Sequence, residues 1–267
     1  MQGPHIENAV LQRMRNDEVA LGLVVRLARS GEIAAIAKAS GHDFLFLDTQ
    51  HALFSVETIG HIIQAALGCG IATIVRVPRY DDPDIAKFLD AGASGIAVAD
   101  VATAEQARKV VEACRFPPLG KRSVQSTYSA TRYGSYPIDA LLQELERKTL
   151  VACMIETREG VANLDEICSV EGVDLIHLGC SDLLADMGRP GAFDDPELRA
   201  ITDRLISVCR EKKKFAGLGG DRDIARLSAF IQKGLRFHTT QTDVSYLIEA
   251  ASRRAGMLRE VLPGGRG

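Results

Sequence analysis

The chain has 267 residues, 46% hydrophobic and 25% charged, with a formal net charge of −3. That length and apolar content fit one large globular domain spanning residues 1–267 and exclude a disordered tail protein, while the slight negative charge makes no case for nucleic-acid binding. The first ten residues carry no charged-then-apolar signal pattern, and the longest uncharged apolar or small stretch, Ala65 to Val75, is too short for a bilayer, so a cytoplasmic protein without a membrane partner is expected.

Taken in chain order, apolar runs of strand length alternate with segments of helical period. Val19–Val25 precedes Glu32–Ser40, Phe44–Asp48 precedes Val56–Leu67, Ala72–Val77 precedes Pro83–Ala91, and Gly95–Ala99 precedes Thr103–Cys114. After a break, Leu150–Glu156 precedes Asn163–Val170, Asp174–Leu178 precedes Pro196–Lys212, and Phe215–Leu218 precedes Asp221–Gln232. Arg236–Thr240, the weakest strand pattern, precedes Val244–Leu262. Near-continuous apolar character suits strands buried on both faces of a parallel sheet. Ser55, Asp82 before Pro83 and Asp195 before Pro196 mark helix starts, and Gly92, Gly172 and Gly234 mark stops. Eight such units predict an α/β fold, a single-domain (β/α)₈ TIM barrel, for which about 250 residues are typical. The break, Phe116 to Lys148, holds Pro117, Pro118, three tyrosines and one helix-like piece, Ile138–Arg147; so long a connection is either functional or disordered. The last helix is long enough to pack on another subunit. Six cysteines lack CxxC or zinc spacing and read as small core residues in a reducing compartment.

Active sites of this architecture lie at the carboxyl ends of the strands, so polar residues there are the candidates. The second strand ends in Asp48-Thr49-Gln50-His51, the third in Arg76, the fifth in Glu156, and the sixth in Gly179-Cys180-Ser181-Asp182. If the fifth and sixth strands are neighbours, Glu156 and Asp182 share one rim as two hard oxygen ligands. That is how Mg²⁺ or Mn²⁺ is usually held, with Co²⁺ also acceptable. Structural readings stand beside these: Asp48 capping its turn, His51 on a surface loop, Arg76 neutralising buried carboxylates, and Glu156 and Asp182 paired with Arg158 or Arg76. The set suits carbon–carbon bond change next to a carbonyl. A divalent cation would stabilise the enolate of a 2-oxo acid, with Arg76 reaching the same oxyanion. His51 would accept the aldol hydroxyl proton, and backbone N–H groups of Gly179, Cys180 and Ser181 in a tight turn would hold the substrate carboxylate. No lysine stands at a strand mouth, which argues against a Schiff-base aldolase. An oxaloacetate-type decarboxylase, or another enolpyruvate carbon–carbon bond enzyme, is the alternative. A non-catalytic protein holding a 2-oxo acid or metal is the second.

At these residues the chain resembles the HpcH/HpaI family of metal-dependent (class II) pyruvate aldolases, in the phosphoenolpyruvate/pyruvate barrel superfamily. The resemblance is carried by Phe46-Leu47-Asp48-Thr49-Gln50-His51, Val75-Arg76, Leu89 to Ala93, Ala104 to Ala107 and Phe116 to Arg122. It continues through Ile155-Glu156-Thr157, Asn163 to Ile167, Val170 to Asp174, and Gly179 with Ser181-Asp182-Leu183 and Gly188. It implies metal ligation by Glu156 and Asp182, enolate stabilisation by Arg76 and catalysis by His51 with Asp48 beside it. It also implies that Asp90 reaches that histidine from a neighbouring subunit. Substrates would be aldols of pyruvate, cleaved to a 2-oxo acid and an aldehyde by a hexamer, a trimer of dimers with exchanged C-terminal helices. The chain departs from the family pattern at Thr49-Gln50 (usually Gly-Glu), Met154 (usually Gln), Cys180 (usually Pro), Ala99 (usually Pro) and Ser123 (usually Gly).

Overall fold

The apolar runs form eight parallel strands in a closed barrel, ordered β1 to β8. They are β1 (Ala20–Val25), β2 (Phe44–Asp48), β3 (Ala72–Val77), β4 (Gly95–Val98), β5 (Leu150–Ile155), β6 (Leu175–Gly179), β7 (Phe215–Gly219) and β8 (Leu235–Thr242). The structure is a computed structural model that describes residues 3–261; Met1, Gln2 and Leu262, the end of the last predicted helix, lie outside the described residues.

Two buried layers follow from the two-residue side-chain period of a strand. Phe44, Phe46, Ile74, Ala97, Leu150, Ala152, Met154, Leu175 and Phe237 fill the barrel interior. The intervening Leu45, Leu47, Val75, Val77, Ile96, Val98, Val151, Cys153, Ile155 and Ile176 pack outward against the helices. Because both faces are dry, the strands show no polar alternation in the sequence.

The helices keep most of their predicted boundaries. Ser55 Oγ accepts from Thr58 N at 3.1 Å, and Asp195 Oδ1 accepts from Glu197 N at 2.7 Å beside the first-turn Pro196. The Asp82-Pro83 start is displaced: the helix is Ile85–Asp90, and Asp82 Oδ1 instead accepts from Asp84 N at 2.9 Å in a turn ahead of it. Three α-helices among the described residues do not figure in the sequence reading: Ala9–Arg15, Arg158–Ala162 and Cys180–Asp186. The first plugs the amino end of the barrel with Val10, Leu11 and Met14, and is anchored by Asn8, whose Nδ2 donates to Ser94 O and Lys148 O. The long break is structured, with helix Ile138–Lys148 and a small core of its own formed by Ile6, Phe116, Tyr128, Leu141 and Leu145.

The last helix, Asp243–Val261, starts at the barrel mouth, where Asp243 accepts from the backbone N–H groups of Arg26, Leu27 and Ala28. Every residue from Leu247 to Glu260 is exposed, among them Leu247, Ile248, Met257 and Leu258. Among the described residues no helix is long and apolar enough to cross a membrane.

Candidate active site

A cavity of about 390 Å³ opens over the carboxyl ends of the strands. One side is basic. Arg76, the penultimate residue of β3, lies across from Asp48, its register partner on β2. Arg76 Nε donates to Asp48 Oδ1 at 2.9 Å and Nη2 to Oδ2 at 2.5 Å, a two-pronged pair that leaves Nη1 without a partner among the described residues. Arg26, one residue past β1, donates from Nε to the same Oδ2 at 2.5 Å. Asp48 also accepts from the N–H groups of Gln50 (3.1 Å) and His51 (3.2 Å), so it does cap its turn. Burial pushes its carboxyl up, but Arg76 and then Arg26 outweigh burial and hold it below the usual carboxylate range. Asp48 is fully buried under the two guanidinium groups and fixes their direction; the cavity wall is formed by Arg26 and Arg76 rather than by Asp48.

The other side is acidic. Glu156 follows β5 and Asp182 lies in the first turn of helix Cys180–Asp186, directly after β6. Among the described residues neither is bridged by a cation: Arg76 is committed to Asp48, and Arg158 pairs with Glu197 at 3.3 Å. Glu156 Oε2 accepts from Asp100 N at 3.0 Å, which Asp100 offers from left-handed backbone (φ 57°), while Oε1 is buried without a partner among the described residues. Gly179 makes room for this carboxylate, since a Cβ there would stand 2.4 Å from Oε1. Burial is the main force pushing the Glu156 carboxyl up to about 7, with the charges of Asp182 and Asp100 adding to it. An orphaned, buried carboxylate oxygen beside a second carboxylate fits a hard divalent cation. Among the described residues no group of three or more His, Cys, Asp or Glu is set to hold a metal, so any further ligands would be water and substrate.

His51 lines the cavity between the two sides. Burial, then the charge of Arg76, lowers its pKa, so the ring is neutral near pH 7. Gly179, Cys180 and Ser181 also line the cavity, but their predicted tight turn is a helix start, with Gly179 as the residue before the first turn. Cys180 is buried, and burial pushes its thiol up, so it contributes backbone rather than thiolate. Asp90 lies outside this chain's cavity and pairs with the buried Arg122 at 2.6 Å. Residues absent from the sequence reading also line the cavity: Arg26, His177, Arg222 and Thr239. His177 is buried between Phe46 and Phe237, and burial pushes its pKa down to about 3. Its Nδ1 has no partner among the described residues, and Gly217 and Gly219 leave it space, a Cβ at either standing 2.8 Å from a ring nitrogen.

A family model described as HpcH/HpaI aldolase/citrate lyase matches residues 22–250. The chain belongs to this family. Its relatives include the 4-hydroxy-4-methyl-2-oxoglutarate aldolase of Hapsidospora irregularis, 31% identical over 259 residues that cover 96% of each chain. The 2-keto-3-deoxy-L-rhamnonate aldolase of Escherichia coli K12 is 31% identical over 263 residues, covering 98% of this chain and 97% of that one. Among solved structures of the fold, an HpcH/HpaI aldolase from Desulfitobacterium hafniense superposes with a TM-score of 0.90 at 24% identity, covering 96% of this chain and 98% of that one. The citrate synthase SbnG superposes with a TM-score of 0.84 at 27% identity, covering 93% and 96%. Family membership makes the protein a lyase-type enzyme on a TIM barrel.

Proposed function

We propose that this protein is a divalent-cation-dependent aldolase that cleaves 4-hydroxy-2-oxo acids to pyruvate, or a related 2-oxo acid, and an aldehyde. The observation that supports it best is the division of one cavity between two unbridged carboxylates, Glu156 and Asp182, and a guanidinium, Arg76, with an unpaired Nη1. A divalent cation on the carboxylates, Mg²⁺, Mn²⁺ or Co²⁺, supplies Lewis-acid charge for the keto oxygen of the oxo acid. Arg76, held in place by Asp48, offers Nη1 to the negative charge that develops as the enolate forms. Neutral His51 takes the proton of the C4 hydroxyl; the C3–C4 bond then breaks, its electron pair passes into the enolate, and a proton returned to C3 completes pyruvate. First-turn amides of helix Cys180–Asp186 are suited to the substrate carboxylate. No lysine lines the cavity, which supports a metal-type over a Schiff-base route.

The aldolase names of the relatives support the reading, and they name different substrates. Decarboxylation of an oxaloacetate-type substrate is the second reading, favoured by Met154, which puts a thioether where the family pattern has a glutamine facing the oxo acid. The exposed apolar residues of the last helix support a homo-oligomer in which that helix packs on another copy, the hexamer being the form implied by the family. A coupled assay for pyruvate release, with added Mg²⁺ or Mn²⁺ and a panel of 4-hydroxy-2-oxo acids and oxaloacetate, tests the reading. Turnover undiminished by excess chelator, or a lysine adduct trapped by borohydride, would overturn it.

A further inference from the structure

We infer that His177 and Thr239 form a neutral subsite for a hydroxyl group, carried by the part of the substrate that leaves as the aldehyde. This rests on the aldolase reading of the same cavity and names its substrate class: oxo acids with a further hydroxyl on the carbon beyond C4.

The imidazole of His177 is held in place by shape. β7 presents glycines where the ring lies: a Cβ at Gly217 would stand 2.8 Å from Nδ1, and one at Gly219 would stand 2.8 Å from Nε2. Phe46 and Phe237 close its sides, with ring centroids at 6.0 and 5.4 Å. The residue is 2% exposed, and Nδ1 is sealed without a partner among the described residues. A neutral imidazole carries one ring proton. A sealed N–H without an acceptor is the costlier orphan, so the proton belongs on Nε2, which faces the cavity and makes no hydrogen bond among the described residues. Thr239 stands beside it: the Cβ position at Gly219 that lies 2.8 Å from Nε2 lies 2.4 Å from Thr239 Oγ1. Thr240 spends its hydroxyl on Gly22 O at 2.9 Å, whereas Thr239 Oγ1 has no hydrogen-bond partner among the described residues.

Strand register places the pair along the path of the substrate. Gly179, against which the Glu156 carboxylate lies, pairs with Gly219, and Gly219 pairs with Thr239. A ligand with its oxo-acid end at Glu156 and Asp182 crosses Gly219, which has no side chain, and meets Nε2 and Oγ1 about one strand spacing, roughly 5 Å, further on. The C4 hydroxyl is directed to His51, past β2 and three strands away from β7, which leaves the pair for another oxygen. Burial pushes the His177 pKa down to about 3, so the pair carries no charge near pH 7 with which to hold an anion. An uncharged hydroxyl completes it: Nε2–H donates to the hydroxyl oxygen, and Thr239 Oγ1 accepts the hydroxyl proton. A methyl group in the same place leaves both unpaired.

The test is aldol addition, the synthetic direction, catalysed by the full-length protein with Mg²⁺ and pyruvate. Glycolaldehyde is compared with propanal, which has a methyl group where glycolaldehyde has its hydroxyl. The ratio of the two kcat/KM values is read in each variant, so the different intrinsic reactivity of the aldehydes cancels between variants. One neutral hydrogen bond corresponds to about 3- to 10-fold. His177→Phe and Thr239→Val, both close in shape, should each lower the ratio by that factor relative to wild type. A loss of packing alone would slow both aldehydes together and leave the ratio in place. If His177→Phe does not fold, Thr239→Val decides. A ratio unmoved in either variant overturns the subsite while the aldolase reading survives, and so does a wild type that adds pyruvate to other aldehydes but not to glycolaldehyde. If pyruvate is added to no aldehyde of a broad panel, the aldolase reading falls and takes the subsite with it.

Discussion

Asp48→Asn is the sharpest probe of how the site is held together. The substitution keeps shape and volume but removes the charge on which Arg76 and Arg26 converge, and it turns an amide N–H₂ toward donors that cannot accept it. Asp48 is completely buried, and Arg76 nearly so, so this pair is not screened as a surface bridge would be. Breaking one partner out of a buried ion pair costs about 3–5 kcal/mol, because the other charge is left uncompensated. Arg26 is more exposed and regains water, so it adds little to that figure. Against a total stability of about 5–15 kcal/mol, the loss is about a fifth or more. Urea unfolding should show it as a lower midpoint, and the double variant with Arg26→Gln should lose less than the two single losses combined, since one of the repelling cations is gone. Turnover should drop with it, because Arg76 Nη1 loses its aim and the N–H groups of Gln50 and His51 lose their acceptor. A loss below about 1 kcal/mol would refute the reasoning, since it would put the pair within the range of an exposed bridge. So would an unchanged kcat.

Other outcomes follow from the same geometry. Glu156→Gln and Asp182→Asn should each abolish the stimulation by Mg²⁺ or Mn²⁺ while circular dichroism stays that of the barrel; metal-stimulated turnover in either variant would remove the pair as ligands. Arg76→Ala should lower the enolate-forming step by about 10²–10³, read as exchange of the pyruvate methyl protons with solvent; exchange at the wild-type rate contradicts its role. His51→Ala should lower aldol cleavage by about 10²–10⁴ and spare oxaloacetate decarboxylation, which needs no hydroxyl deprotonation. Because the His51 pKa is lowered, wild-type aldol cleavage at saturating Mg²⁺, which keeps Glu156 ionised, should hold as pH falls from 7 and fail only below the ordinary histidine range, near 6.5; loss beginning above it at every Mg²⁺ concentration would contradict a neutral base. His177→Phe should make the fold more acid-tolerant: the unfolded chain takes up this proton near 6.5 and the folded chain only near about 3, so wild type loses about 1.4 kcal/mol per pH unit in between. Urea midpoints at pH 8 and pH 5 should differ less in the variant, and equal differences would place the ring in contact with water.

Most of the barrel was legible in the sequence because its strands are short, apolar and separated by helices with capping residues. β2 and β3 fall on Phe44–Asp48 and Ala72–Val77 as read. The departures have local causes. Ala9–Arg15 has only one buried stripe, Val10, Leu11 and Met14, in two turns, too short for periodicity to stand out from the termini. Cys180–Asp186 opens with Gly179-Cys180-Ser181-Asp182, whose composition is that of a turn, and the helix forms because Leu183 and Leu184 bury behind it. Asp82-Pro83 reads as a helix start, but Asp82 spends its carboxylate on Asp84 N and the helix begins after it. The long break looked ambiguous because its core, built on Tyr128 and Phe116, is made with Ile6 from the far end of the chain.

The site itself obeys a rule that the sequence contains but does not display. Side chains alternate along a strand, so the inward phase is fixed once one inward residue is known. Phe46 faces inward, hence Asp48 does; Ile74 gives Arg76, and Met154 gives Glu156. The same two-residue step carries Val24 to Arg26 and Leu175 to His177, two of the residues that sequence reading passed over. They were hidden because both faces of each strand are apolar, leaving no polar alternation from which to read the phase. Register supplies what periodicity cannot: Val24 pairs with Phe46, Asp48 with Arg76, and Met154 with His177, so one inward residue on any strand sets the phase of its neighbours. Once Glu156 is taken as facing the cavity, its strand places Met154 inward, and pairing then turns His177 inward beside it. Pairing around the other side of the barrel, through Arg76, Asp48 and Phe46, does the same for Val24 and hence Arg26. The polar wall that distinguishes this cavity is therefore a consequence of strand phase, with Arg26 and His177 sharing the phase of the residues that the family motifs mark.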